Sequence, residues 1–524
     1  MRQRYVGLLV VVLLVVACQG QEPGEGAVVD ESTGGFEVVE ATIAEIHQAM
    51  EAGELTARQL VEMYLARIEA YDKQGPAFNS IVVVNPEALA RADELDAAFR
   101  ESGFVGPLHG IPVIVKDNYD TYDLPTSAGS LALAESIPPD DAFQVERIRA
   151  AGGIVIAKSN MAEWAFSPYE TVGSALPGYS RNPYDTSRVT AGSSGGTGAA
   201  VAASFGTVGL GTDTGNSIRG PSSHNLLVGI RSTMGLTSRD GIVPLYLDHD
   251  IGGPMCRSVA DAVALFDVIA GHDAADPVTE AAKEKKEGSY SAHLVADGLA
   301  GARIGVVRQL VDVETADQEI RKVFQQALED LRAAGAEVVD PITVEELDTI
   351  PQNERWCPRF RYDLENYLAS LGPNAPVKTI DDILQSGQYH PSVESGLRYF
   401  HGIEGAPEDS EVCRTAWASG LNLAQGVRDV LAEHRLDALV YPTWINRPRL
   451  IGDLNTPAGD NSQDLSPHTG FPAITVPMGF VGDHLPVGLS ILGDAWTEGR
   501  LIELAYSYEQ ATKHRKPPAS APPL

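Results

Sequence analysis

Two clusters of glycine and small hydroxyl residues lie within 188–221, and their serines are the side chains of this sequence best suited to chemistry. The first cluster reads Gly192-Ser193-Ser194-Gly195-Gly196. The second follows an apolar, alanine-rich middle and reads Gly211-Thr212-Asp213-Thr214-Gly215-Asn216-Ser217. Glycine accepts backbone angles that other residues refuse, so such loops let N–H groups converge on one point. A nest of that kind suits an anion or a developing oxyanion, and here it would lie beside Ser217. A serine hydroxyl is a weak nucleophile until a base takes its proton.

The two clusters, with Ile218-Arg219 after them, resemble the amidase signature family, which uses the same spacing from Ser193 to Ser217. That family carries a lysine at the end of an apolar strand, and Gly106-Pro107-Leu108-His109-Gly110-Ile111-Pro112-Val113-Ile114-Val115-Lys116-Asp117 supplies one. The resemblance continues through 152–161, 181–185, 253–255 and 469–473, and covers most of residues 40–515.

The resemblance implies a reaction and a set of roles. The reaction is hydrolysis of a carboxamide C–N bond to a carboxylate plus ammonia or an amine, through an acyl-enzyme on Ser217, with no cofactor and no metal. Lys116 is the general base, neutral because a low-dielectric site disfavours an ammonium. Ser193 bridges Lys116 and Ser217, since a hydroxyl both donates and accepts, and it lies on a cis peptide bond. The backbone N–H groups of Thr214, Gly215, Asn216 and Ser217 face the oxyanion. Asp213 and Arg219 are expected to pair and hold the loops, and Ser194 and Lys158 to be structural. Two positions depart from the family: Gly is usual where Asn216 stands and frequent where Ala191 stands. The Asn side chain adds bulk and an amide beside the nucleophile, so activity with altered selectivity is expected.

The elements that must position these residues follow from periodicity. Thr56 can cap a helix whose Leu60, Tyr64, Leu65 and Ile68 recur at helical spacing. A second helix is expected from Pro86, an N1-type proline. The run 111–115 reads as a strand buried on both faces, a helix over 142–151 leads to a strand at 154–157, and the rhythm returns at 303–307. There Asp317 opens a helix that buries Ile320, Val323, Phe324, Leu328 and Leu331. Further strands are expected at 439–441 and 487–492. This alternation is that of an α/β protein, a single large domain over 39–515 with a central mixed, mostly parallel twisted sheet covered by helices. The stretch 345–426 is aromatic-rich and reads as a helical lobe walling the cleft, which points to apolar, aryl or short peptide amides as substrates. Residues 516–524, rich in proline, read as a loose tail.

Composition bounds the partners. The chain has 524 residues and a formal charge of −32, which argues against nucleic acid; the expected partner is a small-molecule amide, and a homodimer stays open. Arg2 and Arg4 precede an apolar run over 5–17 that suits a signal peptide and is short for a membrane span. It ends in Val15-Val16-Ala17-Cys18, which resembles the lipobox of bacterial lipoproteins. That resemblance implies cleavage after residue 17, lipid on Cys18 and, with Gln19 next, an outer-membrane or surface location; the segment 18–38, Gly-, Glu- and Ser-rich with few apolar residues, reads as a flexible tether. Membrane contact is expected only through that anchor. Cys256, Cys357 and Cys413 allow one disulfide but no framework, and no pair of cysteines has metal-ligand spacing.

Four rival readings share the sequence. Gly192-Ser193-Ser194-Gly195-Gly196 also fits Gly-x-Ser-x-Gly, with Ser194 as nucleophile and Asp464 and His468 downstream, but the polar, turn-like 183–188 is not the buried strand that elbow needs. A surface lipoprotein that keeps the fold and only binds a ligand has no need of the complete Lys–Ser–Ser set. An esterase or carbamate hydrolase uses the same acyl-enzyme chemistry. A component of an amidotransferase, working on charged transfer RNA, fits neither the leader nor the acidic charge.

Overall fold

The structure is a computed structural model that describes residues 35–524. The expected signal peptide, Cys18 and the expected tether up to residue 34 lie outside the described residues. The body over Glu37–Leu524 forms one compact unit.

The strands are β1 (Ile81–Val84), β2 (Pro112–Lys116), β3 (Ile154–Ser159), β4 (Arg181–Asn182), β5 (Asp185–Val189), β6 (Val208–Asp213), β7 (Val228–Arg231), β8 (Ile251–Cys256), β9 (Arg303–Val307), β10 (Glu337–Ile342), β11 (Ala438–Pro442), β12 (Ala473–Val481) and β13 (Leu485–Leu492). β4 and β5 pair with each other. The remaining strands form one sheet in the order β1-β3-β2-β6-β8-β7-β12-β13-β11-β9-β10. The α/β class and the single large mixed sheet agree with the sequence reading. Parallel pairing lies in two blocks, β3-β2-β6 and β11-β9-β10, where helices such as Phe143–Ala150 and Gln318–Ala333 make the crossovers. Between the blocks, from β6 through β8, β7, β12 and β13 to β11, neighbours run antiparallel, as does β1 on β3. β12 and β13 need no crossover, because Gly482 and Asp483, both at positive φ, turn the chain directly. β2, β3 and β6 are buried along their whole length, which explains the apolar runs 112–115 and 154–157 in the first two.

Local signals set several helix starts. Thr56 caps Ala57–Ile68 in a capping box with Gln59, and Asp317 caps Gln318–Ala333, which buries Ile320, Phe324, Leu328 and Leu331 and leaves Val323 half-buried. The helix expected from Pro86 starts later, at Ala88. Asn85 explains the delay: its Oδ1 accepts from Glu87 N at 2.9 Å and holds a turn ahead of the helix.

Between β10 and β11 the described chain has no strand. Its longer helices are Phe360–Ser370, Glu394–His401 and Glu411–His434. A disulfide joins Cys357 to Cys413, and Cys256 is buried and free. The aromatics of this segment split. Phe360 and Tyr367 enter a core cluster, Tyr389 packs against it, and Tyr362 is exposed. The Tyr367 hydroxyl donates to Asp120 at 2.7 Å and ties the segment to the sheet side of the molecule.

The proline-rich C-terminus is docked rather than loose. The buried Arg67 guanidinium donates to the carbonyls of Ala521 and Pro522, each at 2.8 Å, and to those of Ala203 and Ser204 at 2.8 and 2.9 Å. Ala521 is itself buried. Proline cannot continue a helix, but its carbonyl remains a full acceptor, and here that acceptor satisfies a buried arginine.

Candidate active site

β2 and β6 are parallel neighbours, so their C-terminal ends share one edge of the sheet, where α/β proteins commonly place their sites. Lys116 is the last residue of β2 and Asp213 the last of β6. The chain then loops through 214–218 into the short helix Arg219–His224. The first serine cluster sits where a loop enters the helix Gly195–Ala202. Its glycines are needed for close approach: a Cβ on Gly192 would strike the carbonyl oxygens of Ser167 and Glu170, and one on Gly196 the backbone of Asn160.

The Gly192–Ser193 peptide bond is cis. Lys116 Nζ lies 2.7 Å from Ser193 Oγ and 2.7 Å from Thr212 Oγ1, and all of Lys116 and Ser193 is buried. Burial drives the Lys116 amine down to about 7, against the opposing pull of the Asp250 and Asp213 charges. Ser217 lines the adjacent cavity and its hydroxyl donates to Asn216 Oδ1 at 3.2 Å. Lys116 therefore meets Ser193 directly and, through Thr212, the strand that leads into the Ser217 loop, while the Ser217 hydroxyl donates to its neighbour's amide. Among the described residues the N–H groups of Thr214, Gly215, Asn216 and Ser217 have no backbone or side-chain acceptor, while all four residues line the cavity.

A buried ion network supports that loop. Asp213 accepts from Arg219 Nε at 3.0 Å and from Arg231 Nη1 at 3.0 Å, and from the N–H groups of Ile218 and Arg219 at 3.2 and 3.3 Å. Burial pushes the Asp213 carboxyl up, yet the two guanidiniums and the N–H groups outweigh it and hold it at about 2. On the other side Asp250 accepts from Thr214 Oγ1 at 2.6 Å and from Leu245 N at 2.8 Å, joining the loop to a wall of the cavity.

The cavity, about 550 Å³, is lined by Phe166, Tyr246, Trp356, Tyr399 and Phe400 on its apolar side and by residues 214–217 on its polar side. Trp356 and Gln463 also line a second, polar cavity with Arg449, Asp460, Asp464 and His468. Ser194 lines neither cavity; it is buried, and its Oγ donates to Thr212 O at 3.1 Å. The Ser194–Asp464–His468 alternative is thus not assembled, because Ser194 staples a helix start to β6 while Asp464 accepts from Gln352 at 3.1 Å. Lys158 is spent on structure: its Nζ donates to Tyr119 O at 2.6 Å and Thr126 Oγ1 at 2.9 Å. Residues that face this site and that sequence reasoning passed over are Thr212, Arg231 and Asp250. Thr212 sits inside the second serine cluster and carried a local signal. Arg231 and Asp250 lie on or before later strands, and only the sheet order brings them to Asp213 and Thr214.

The family model described as Amidase matches residues 59–502. A protein of Arabidopsis thaliana described as a probable amidase is 34% identical over 503 residues, which span 92% of this chain and 92% of the relative. Among solved structures, the native peptide amidase of Stenotrophomonas maltophilia superposes with a TM-score of 0.83 at 37% identity, covering 91% of this chain and 98% of that one. An amidase family protein of Bacillus anthracis superposes with a TM-score of 0.80 at 32% identity, covering 92% of each chain.

Proposed function

We propose that this chain, which belongs to the amidase family, cleaves a carboxamide C–N bond through an acyl-enzyme on Ser217. Amide C–N hydrolysis is the chemistry its family supports, and the finer assignment is ours. The observation that carries it is the fully buried Lys116 amine, held at about 7 and 2.7 Å from Ser193 Oγ. A base poised near the working pH is what proton transfer from a serine requires.

In the acylation step the Ser217 hydroxyl turns from Asn216 to Ser193. Its proton passes to Ser193, whose own proton passes to Lys116. Ser217 Oγ bonds the carbonyl carbon, and the oxygen becomes an oxyanion facing the N–H groups of 214–217. The relay then runs backward: Lys116 returns a proton to Ser193, Ser193 gives one to the leaving nitrogen, and the C–N bond breaks. Water repeats the sequence on the ester and releases the carboxylate.

The aromatic wall supports apolar acyl groups, and aryl or short peptide amides are the substrates we assign to the cavity. A benzoyl-type amide is expected to exceed acetamide in kcat/KM by about tenfold or more, on the scale a hydrophobic pocket discriminates. A steady-state amide panel measures this, and equal values for the two would refute the assignment.

We also propose export and lipid anchoring at Cys18. The leader pattern supports it, and so does the Cys357–Cys413 disulfide, since disulfides persist in oxidising compartments. In fractionated cells the wild type should partition with membranes and Cys18→Ala with the soluble fraction. Identical partitioning of the two would count against the anchor.

A further inference from the structure

We infer that the Asn216 side chain makes this site prefer amides to esters, by accepting a hydrogen bond from the leaving nitrogen during acylation. The inference rests on the reading of Ser217 as nucleophile given above.

The position of the amide group is well defined. Asn216 is buried and lines the cavity beside Ser217. Its Nδ2 donates to Pro168 O at 3.1 Å, which fixes the other end of the group as oxygen. From the far side Gly220 approaches so closely that a Cβ there would stand 2.8 Å from Asn216 Nδ2. Oδ1 is therefore aimed at Ser217, and among the described residues the Ser217 hydroxyl, at 3.2 Å, is its hydrogen-bond donor.

That pairing cannot survive the reaction. When Ser217 gives its proton to Ser193 and bonds the carbonyl carbon, Oδ1 loses its donor while remaining buried, and a buried acceptor without a donor is costly. The leaving group is bound to the same carbon as Ser217 Oγ, and Ser217 Oγ lies 3.2 Å from Oδ1, which under this inference seats the leaving nitrogen beside Oδ1. An amide nitrogen carries an N–H that restores the lost hydrogen bond. An ester oxygen carries none and leaves Oδ1 stranded. The same contact orients the nitrogen. With its N–H held by Oδ1, the lone pair that develops as the nitrogen becomes pyramidal faces Ser193, which delivers the proton before the C–N bond breaks. A glycine at this position, usual in the family, offers neither effect.

The test compares a primary amide and a methyl ester of one acyl group, such as benzoylglycine, in wild type, Asn216→Gly and Asn216→Asp. Because the Asn216 backbone faces the oxyanion, both rates are expected to change in the variants, and the readout is the ratio of kcat/KM for amide over ester. In Asn216→Gly this ratio should fall about tenfold, the scale of one hydrogen bond to a buried group. Asn216→Asp retains an acceptor oxygen and should keep most of the preference even if both rates drop. An unchanged ratio in Asn216→Gly, with both rates lowered alike, would overturn the inference and leave Asn216 a structural residue. Should Asn216→Gly not fold, the Asn216→Asp ratio decides alone: a collapse to parity overturns the inference. Labelling of wild-type Ser217 with a fluorophosphonate separates the two levels. A labelled enzyme with an unchanged ratio sinks only the role of Asn216, whereas a folded enzyme that takes no label sinks the nucleophile assignment with it.

Discussion

Lys116→Ala is expected to lower kcat/KM on amides by roughly 10²–10⁴-fold, the range assigned to a positioned general base, and to abolish the rise of the rate with pH. In the wild type only the neutral amine accepts the proton relayed by Ser193. With burial holding the amine at about 7, kcat/KM should climb about tenfold per pH unit below 7 and level off above it. Linkage gives an independent check on the same side chain. Unfolded, the amine titrates near its ordinary value of about 10.4, so between roughly pH 7 and 10 the unfolded chain binds more protons than the folded one. Stability from this group therefore rises with pH across that window, and below 7 its full cost is present. Lys116→Met removes that cost, so near pH 6 its melting temperature should not fall below the wild type although its activity is lost. Loss of activity together with a lower melting temperature would mean a packing defect rather than a missing base.

Asp213→Ala is expected to destabilise the protein by about 3–5 kcal/mol, the cost of removing one partner of a buried ion pair. Arg219 and Arg231 are both fully buried against this carboxylate, and no solvent reaches them to replace it. The same carboxylate fixes the N–H groups of Ile218 and Arg219, so the loop that carries Ser217 should lose its shape. Chemical denaturation measures the first effect and amide turnover the second. The pH dependence has a definite sign. The folded carboxyl sits at about 2, below the ordinary aspartate value of about 3.9, so its contribution is complete above roughly pH 4 and is lost as pH falls through about 2. A fully stable, fully active Asp213→Ala protein would show that the network does not hold the loop.

Legibility from sequence tracked how local each signal was. Thr56 with Gln59, and Asp317 with its buried Ile320-Phe324-Leu328-Leu331 face, fix helices within a few residues of chain, so those elements read directly. The unbroken apolar runs of β2 and β3 did the same for strands. The antiparallel middle of the sheet did not read, because nothing in β7, β8 or β12 alone states its partner; the order is set by how the hairpin β12–β13 and the two parallel blocks share one core. For the candidate site, Lys116, Ser193 and the 214–217 loop were singled out through a resemblance whose motifs lie far apart in sequence. Asp213 with Arg219 was legible from proximity. Arg231, eighteen residues beyond Asp213, and Asp250, thirty-six beyond Thr214, were not. The docked tail was missed because its partner is a single buried arginine, Arg67, and a proline-rich composition says nothing about which donor its carbonyls meet.

The most direct test of the central claim is fluorophosphonate labelling of the purified protein as a function of pH, with intact mass and peptide mapping. A single adduct on Ser217, formed with a rate that rises to a plateau above pH 7 in the wild type and is slow and flat in Lys116→Ala, is the predicted result. An adduct on Ser194 or Ser193, or a folded sample that takes no label at any pH, would contradict it.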